Sequence, residues 1–336
     1  MKSINRILTE TIARKAINDI KDSPERKSRN LVDLALNFAE GQYLRDFLFK
    51  VQKVLQDENS PYYRMVIDAM NHIDTEKLIE FGMNIGFNSI TQGSPKIRAI
   101  EQKEHFDIPW SMFADMSEYQ SKRDYNAYKK IFSESLDLGI YSFHIKADKE
   151  LKNLIKLLSE HKDMAFVLFV EPFNITEELL IEVKNVNNIM FVVKAAEETD
   201  KACLLLRSYN MLYSIYYVYG DKDESLITGD EFILYHQTLR PVFTCFVAES
   251  GCSTALREKV YRYIKDSRVR QEFLTIPWDI VNDTKYIDGK ISDNICSAGI
   301  DKNGYLFKLS EGVNRTEYNV FEITLHDALK KALPKA

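Results

Sequence analysis

Residues 165–171 read AFVLFVE, six apolar residues followed at once by a glutamate. A run as continuously apolar as this suits a strand that is covered on both faces, which is how parallel sheets are built. Five similar runs lie between residues 106 and 249, at 107–114, 141–145, 188–193, 211–218 and 241–247. Segments with the apolar spacing of amphipathic helices separate them, so the pattern predicts six βα units joined by right-handed crossovers.

Six such units curve into an open barrel or a doubly wound sheet. We predict an α/β fold with a partial (β/α)6 TIM-type barrel over residues 106–267. An all-helical N-terminal region is predicted over residues 1–105, and a small loop-rich segment with a hairpin and a helix over residues 268–336.

Two stripes of apolar side chains at helical spacing mark the N-terminal region. They are Leu31, Leu34, Ala35 and Phe38, then Leu44, Phe47, Leu48, Val51 and Leu55. Such stripes bury against either the chain's own barrel, as a cap, or a partner, as a docking bundle. The cap is the expected role, because amphipathic stripes mostly serve a chain's own core. Residues 86–95 (GFNSITQGSP) are predicted to form a polar loop before a helix that begins at Ser94.

The C-terminal segment carries a hairpin signal. Asn303 and Gly304 lie between residues 298–300 and Tyr305–Leu309, and asparagine followed by glycine favours a tight two-residue turn. A short amphipathic helix over residues 324–333 is predicted to follow.

A polar or charged side chain follows each predicted strand. In parallel βα folds ligands bind at the carboxyl ends of the strands, so these positions are the candidate site. The predicted catalytic residues are Lys146, Glu171 and Lys194. The predicted ligand-binding residues are Asp115, Tyr217, Tyr219 and Glu249.

These residue types permit two kinds of chemistry. A lysine in a dry barrel mouth has a lowered pKa and can form a Schiff base or transfer protons, with Glu171 between Lys146 and Lys194. Asp115 and Glu249 can serve as general acid and base, or hold a divalent ion with Glu171. The alternative is a solvated ring of salt bridges, which the ordinary polarity of strand ends favours. The lone strand histidine, His144, is interpreted as a core residue.

Composition limits the function classes. The chain has 336 residues, 45% hydrophobic and 28% charged, with a net charge of -5, which predicts a globular protein with no electrostatic reason to bind nucleic acid. No apolar run approaches the length of a membrane span and no signal peptide is recognisable, so the cytoplasm is the expected location. Four cysteines in a chain of this length do not form a disulfide framework.

A family resemblance rests on the barrel pattern and the tail. Six βα units, a helical N-terminal extension, and Cys296-Ser297-Ala298-Gly299 followed by Asp301-Lys302-Asn303-Gly304 resemble a radical S-adenosylmethionine (SAM) protein with a SPASM-like C-terminal segment. The resemblance implies SAM as a ligand and an iron-sulfur cluster held by Cys-x3-Cys-x2-Cys in the loop after the first strand.

The chain departs from that family pattern at the cluster. The loop after the first strand reads DMSEYQSKR over residues 115–123 and contains no cysteine, and Lys146-Ala147-Asp148 stands where a glycine-glycine-acid motif would follow the second strand. We therefore expect a degenerate member without an iron-sulfur cluster; no cofactor is expected, although SAM remains possible. No thiolate metal site is predicted, because the candidate ligands Cys245, Cys252 and Cys296 form no close pair.

The leading functional hypothesis is a binding or accessory protein for a peptide or a partner enzyme. One alternative is a lyase- or aldolase-like enzyme that uses the strand-end lysines and glutamate. Another is a binder of SAM or of a nucleotide. The sequence leaves open whether the chain acts as an enzyme and what its oligomeric state is.

Overall fold

The computed structural model describes residues 4–20, 59–292, 294–309 and 312–335, with short pieces at 29–30, 32–33, 36, 45, 48–49, 52–53 and 55–57. Most of the two predicted apolar stripes lies outside the described residues, namely Leu31, Leu34, Ala35, Phe38, Leu44, Phe47 and Val51.

Within the described part of the chain, ten strands form one sheet. They are β1 (Ser111–Met116), β2 (Ser142–Ala147), β3 (Ala165–Val170), β4 (Ile189–Lys194), β5 (Tyr213–Tyr219), β6 (Phe243–Ala248), β7 (Ile276–Asp279), β8 (Ala298–Ile300), β9 (Tyr305–Leu309) and β10 (Val313–Asn319). Their order is β10-β9-β8-β1-β2-β3-β4-β5-β6-β7. Every pair from β8 through β1 to β7 is parallel, and β8-β9-β10 is an antiparallel meander.

The predicted partial TIM-type barrel is confirmed, with its six predicted strands as β1 to β6. The parallel part also includes two strands that the sequence analysis did not assign to it. β7 continues the sheet beyond β6, and β8 pairs with β1 on the opposite side. Both come from the region after residue 267, so this region extends the sheet at its two edges.

Helices cover the outer face of the sheet. They are Ser121–Leu138, Leu151–Glu160, Glu177–Val183, Thr199–Ser208, Glu224–Thr228, Glu231–His236, Thr254–Arg270 and Leu325–Ala332. A further helix, Ile280–Ile291, begins at the concave cluster with Ile280 and contacts the start of β1 through Thr284, whose carbonyl accepts from Trp110. Leu154, Ile155 and Leu158 lie three and four residues apart and are almost wholly buried against the sheet, and burying one such side chain contributes roughly 1.5–3 kcal/mol. The helix that precedes β2 ends at Gly139, whose φ of 92° is a left-handed conformation that glycine adopts without strain.

The N-terminal helices Ile4–Ile20, Pro61–His72, Thr75–Gly82 and Ser94–Glu104 lie at the entry end of the barrel, the end at which the strands begin. Asp68 forms two hydrogen bonds with Arg207, 2.7 and 2.9 Å long, and Asn210 donates to the carbonyl of His72 over 2.8 Å. Ile73 and Phe81 join the apolar cluster on the concave face of the sheet. These helices therefore close the barrel at its entry end. None of the described helices of this region covers the end at which the strands finish.

The predicted polar loop at residues 86–95 is wrong. The backbone forms a π-helix over Met83–Gly93 that runs directly into the helix Ser94–Glu104. Asn84 and Asn88 lie one helical turn apart and are both fully buried, and their amides donate to the carbonyls of Lys162, Asp163 and Met164. These tertiary contacts override the loop preference of the glycines and polar residues in this stretch.

The predicted C-terminal hairpin is confirmed as β8 and β9, but residues 301–304 connect the strands in place of the expected two-residue turn at Asn303 and Gly304. Its turn closes with a hydrogen bond from the Gly304 amide to the Asp301 carbonyl, 2.9 Å long, and Gly304 has a φ of 86°. The predicted last helix is also present as Leu325–Ala332, capped by Thr324. None of the described helices combines the length and the apolar character that crossing a bilayer requires.

Candidate functional site

Four charged side chains lie together at the carboxyl end of the barrel. Asp115 and Lys146 are the next-to-last residues of β1 and β2, and Lys194 is the last residue of β4. Glu171 directly follows β3. Alternation along each strand places them on the concave face, above Phe113, His144, Phe169 and Val192. We call this rim of four side chains the mouth. The sequence analysis predicted all four, and the structure brings them together.

The charges of the mouth alternate in sign around the rim. Lys194 Nζ lies 2.8 Å from Glu171 Oε1, whereas Lys146 Nζ lies 4.0 Å from Asp115 Oδ2. Asp115 is also engaged with its own loop, because its Oδ1 accepts the amide of Ser117 over 3.1 Å and the hydroxyl over 2.5 Å. The side chain of Lys146 is 66% exposed, compared with 37% for Lys194. The mouth therefore holds one closed ion pair and one loose one.

A row of aromatic rings lies beneath the mouth. Phe113 stacks on His144 with ring centroids 4.9 Å apart, His144 lies 6.3 Å from Phe169, and Phe169 meets Tyr216 edge to face at 5.1 Å. Phe113 keeps part of its surface exposed, as do Phe243 and Trp278 on the same cluster. The residues beneath the mouth are therefore largely aromatic, and Phe113 is the partly exposed ring next to its charges.

His144 belongs to this row of rings and was not predicted as a site residue. Its Nδ1 lies 3.1 Å from Ser111 Oγ, and that hydroxyl lies 3.1 Å from the carbonyl of Ser142. A hydroxyl has one proton and a carbonyl can only accept, so both contacts are made when Nδ1 carries the hydrogen. Burial lowers the pKa of His144 to about 4, which keeps the ring neutral at pH 7. The sequence could have indicated this position, because His144 is two residues from Lys146 and therefore lies on the same face of β2.

The remaining predicted ligand-binding residues do not join the mouth. Tyr217 and Tyr219 point to the other face of β5, where Tyr217 donates to Asp223 over 3.1 Å and Tyr219 is fully buried. Side chains alternate between the two faces of a strand, so Tyr216 lies on the concave face and Tyr217 and Tyr219 on the outer one. Glu249 follows β6 and turns its carboxylate onto Gly220, where any larger residue would collide with it.

The three cysteines considered as metal ligands lie in different surroundings. Cys245 belongs to the concave apolar cluster and Cys252 to a cluster beneath the helix Thr254–Arg270. Cys296 is 2% exposed and lies near Asp288. Burial raises the pKa of all three thiols, which disfavours the thiolate that binds metal. In the described part of the chain, no group of three or more His, Cys, Asp or Glu side chains is placed to hold a metal ion.

The turn after β1 does not fit an iron-sulfur cluster. Only residues 117–120 separate β1 from the next helix, and none of them has a thiol. Glu118 pairs with Lys149 at 2.6 Å, and Tyr119 is 1% exposed and packs near Tyr128. The turn is therefore short, is held by an ion pair and places one side chain in the core. It contains none of the thiol ligands that an iron-sulfur cluster needs.

Solved structures of one protein share this fold. They are structures of Streptococcus suis SuiB: SuiB itself (TM-score 0.53, 14% identity, 72% of this chain and 71% of that chain covered), SuiB bound to S-adenosylmethionine (0.54, 15%, 72% and 69%) and SuiB bound to the precursor peptide SuiA (0.52, 14%, 71% and 68%). No protein-family model matches the sequence, and no curated protein matches it significantly. At 14–15% identity this likeness shows a shared fold, and it agrees with the partial barrel seen here.

Proposed function

We propose that this chain is a degenerate radical SAM-like barrel that binds a peptide, as a binding or accessory protein for a peptide-processing partner enzyme. The observation that carries the proposal is a mouth of alternating charges above a layer of aromatic rings, on a barrel whose turn after β1 has no thiol. Binding surfaces of this composition suit peptides, which offer charges, rings and amide hydrogen bonds together.

Two further observations support the proposal. A structure of SuiB, which shares the fold, contains the precursor peptide SuiA. In this chain all four cysteines are free and buried, which suits a protein that works in the reducing cytoplasm.

The test has two arms. Protein reconstituted anaerobically with iron and sulfide is expected to show no iron-sulfur absorbance and no cleavage of SAM. A mixed peptide library passed over the immobilised chain is expected to leave retained peptides, and far fewer on Lys146→Ala/Lys194→Ala. Lys152→Ala is the matched control, because Lys152 is an exposed lysine on the helix Leu151–Glu160, paired with Glu182. A stoichiometric cluster, or a library that passes unretained, would contradict the proposal.

A second candidate is a binder of SAM or a nucleotide, which the structure of SuiB bound to S-adenosylmethionine favours. The residues of the mouth fit such a ligand: Lys146 would hold its carboxylate, Asp115 its ammonium group, and the ring of Phe113 its base. When bound, SAM supplies a methylsulfonium centre. A ligand at 100 times its dissociation constant stabilises the chain by about 2.7 kcal/mol, so a thermal-shift titration with SAM and adenine nucleotides tests this candidate.

The lyase- or aldolase-like alternative has less support from the mouth. A Schiff base needs a neutral amine, and the Lys194 ammonium is held by Glu171 at 2.8 Å while Lys146 is largely in water. Borohydride trapping with a panel of carbonyl compounds checks this alternative, which requires a mass increase that is lost in Lys194→Ala or Lys146→Ala.

A further inference from the structure

Lys146 is the least engaged cation of the mouth. Its partner carboxylate lies 4.0 Å away and already accepts two hydrogen bonds from Ser117. The neighbouring charges have their own partners, since Glu118 pairs with Lys149 at 2.6 Å and Asp148 accepts the amide of Asn174 at 3.1 Å. A ligand anion can therefore approach Lys146 without breaking a close ion pair.

The row of rings below Lys146 offers a ring face and a hydrogen-bond acceptor. Phe113 and His144 form a stacked pair, and Phe169 borders His144. With its Nδ1 hydrogen given to Ser111, His144 presents Nε2 as an acceptor, and none of the described residues bonds to that atom. His144 is 7% exposed, and its ring lies two residues before Lys146 on the same face of β2.

We infer that the mouth selects peptide segments in which an acidic side chain adjoins an aromatic one, with the carboxylate on Lys146, the ring on Phe113 and a ring donor, such as a tyrosine hydroxyl, on His144 Nε2. This inference deepens the proposed function and rests on it. The closed Glu171–Lys194 pair bounds the site on its other side and offers no free charge, so the selectivity comes from Lys146.

Isothermal titration with four capped peptides tests the inference. The first has an aspartate beside a tyrosine; the others replace the aspartate by asparagine, the aspartate by lysine, or the tyrosine by leucine. The first peptide is expected to bind at least tenfold more tightly than the lysine and leucine peptides, and several-fold more tightly than the asparagine peptide.

Three variants assign the effect to residues. Lys146→Glu is expected to reverse the preference, so that the lysine peptide binds more tightly than the aspartate peptide. His144→Phe keeps the stacked ring but removes Nε2. A fifth peptide, with phenylalanine in place of the tyrosine, is expected to bind the parent chain more weakly than the tyrosine peptide and this variant equally well. Lys152→Glu makes the same charge change outside the mouth and should preserve the preference. Thermal melting of each variant shows that it is folded.

The outcomes separate the two levels of the argument. If library peptides bind but acidic and basic peptides bind equally, or if Lys146→Glu acts no differently from Lys152→Glu, the inference is overturned while the peptide-binding proposal stands. If no peptide binds the parent chain at all, both are overturned.

Discussion

The two ends of the barrel use charge in opposite ways. At the entry end the buried residue Arg6, 4% exposed, donates through its two terminal nitrogens to Asn84, Asn88 and Asp163. At the mouth Lys146 is 66% exposed with its partner 4.0 Å away. A buried polar group without a hydrogen-bond partner lowers the stability of the fold. A charge in water has water as its partner, so it can lack a protein partner at little cost in stability. The entry end therefore holds the fold together, and the mouth is free for recognition.

The largest expected effect on stability is at the entry end, from Asn84→Ala. Asn84 donates to the carbonyls of Lys162 and Met164 over 2.7 and 2.8 Å and accepts from Arg6 and Asn88. Each buried partner left unsatisfied costs about 1–3 kcal/mol, so we expect a loss of about 3 kcal/mol in the free energy of unfolding by urea denaturation.

The matched control for this prediction is Asn153→Ala. Asn153 is exposed and bonds to the exposed carboxylate of Glu150 at 2.9 Å, so its loss should change stability by less than about 0.5 kcal/mol. Equal effects of the two substitutions would show that the described contacts of Asn84 are not what secures the entry end.

The second effect is a pH dependence that differs in sign between the two ends. At the entry end, burial raises the pKa of Asp288 to about 7, while Ser297 and the amide of Trp110 bond to its carboxylate. The folded chain thus binds this proton more tightly than the unfolded chain, where the group ionises near pH 4. Its contribution to stability is complete below about pH 4 and is lost as the pH rises to about 7.

Asp288→Asn isolates this contribution. Between pH 4 and 7 the parent chain should lose stability relative to the variant, whose amide does not titrate. Asp221, at the carboxyl end of β5, is the contrasting residue. Hydrogen bonds from the amide and hydroxyl of Ser253 lower its pKa, so the stability it contributes is present above its ordinary pKa and is lost as the pH falls. Chemical denaturation from pH 3 to 8 of the parent chain and of the Asp288→Asn and Asp221→Asn variants measures both contributions. If the two variants differed from the parent chain with the same dependence on pH, the predicted difference between the two ends would be wrong.

The mouth was predictable from the sequence because parallel strands bring their carboxyl ends to one rim. That rule placed Asp115, Lys146, Glu171 and Lys194 correctly from strand periodicity alone. The two-residue period of a strand also puts His144 on the face of the mouth and Tyr217 on the opposite face. Using it requires knowing which face of each strand is concave, and a short apolar run bounded by turns does not show which face that is.

The parts that escaped prediction depend on distant contacts. β7 has only four residues, Ile276–Asp279, and includes Pro277, so its own sequence signals a strand weakly. The pairing of β8 with β1 joins residues far apart in the chain, and Gly299 permits it because any side chain there would meet Phe113 and Phe307. The π-helix over Met83–Gly93 is likewise fixed by the carbonyls that Asn84 and Asn88 bind.

The smallest expected effect is in the mouth, at its closed ion pair. Glu171 and Lys194 are 30% and 37% exposed, and exposed pairs contribute at most about 1 kcal/mol because water screens them and the side chains lose freedom. A double-mutant cycle with Glu171→Ala and Lys194→Ala should therefore give a coupling free energy below about 1 kcal/mol. At the entry end Lys335 lies 3.1 Å from Glu101 and 3.3 Å from Asp107, and Glu101 is 2% exposed. Lys335→Ala should cost more than Lys194→Ala, since it leaves two buried acids without their cation. If the mouth pair proved the stronger of the two, its charges would be holding the fold, and they would no longer be free to bind a ligand.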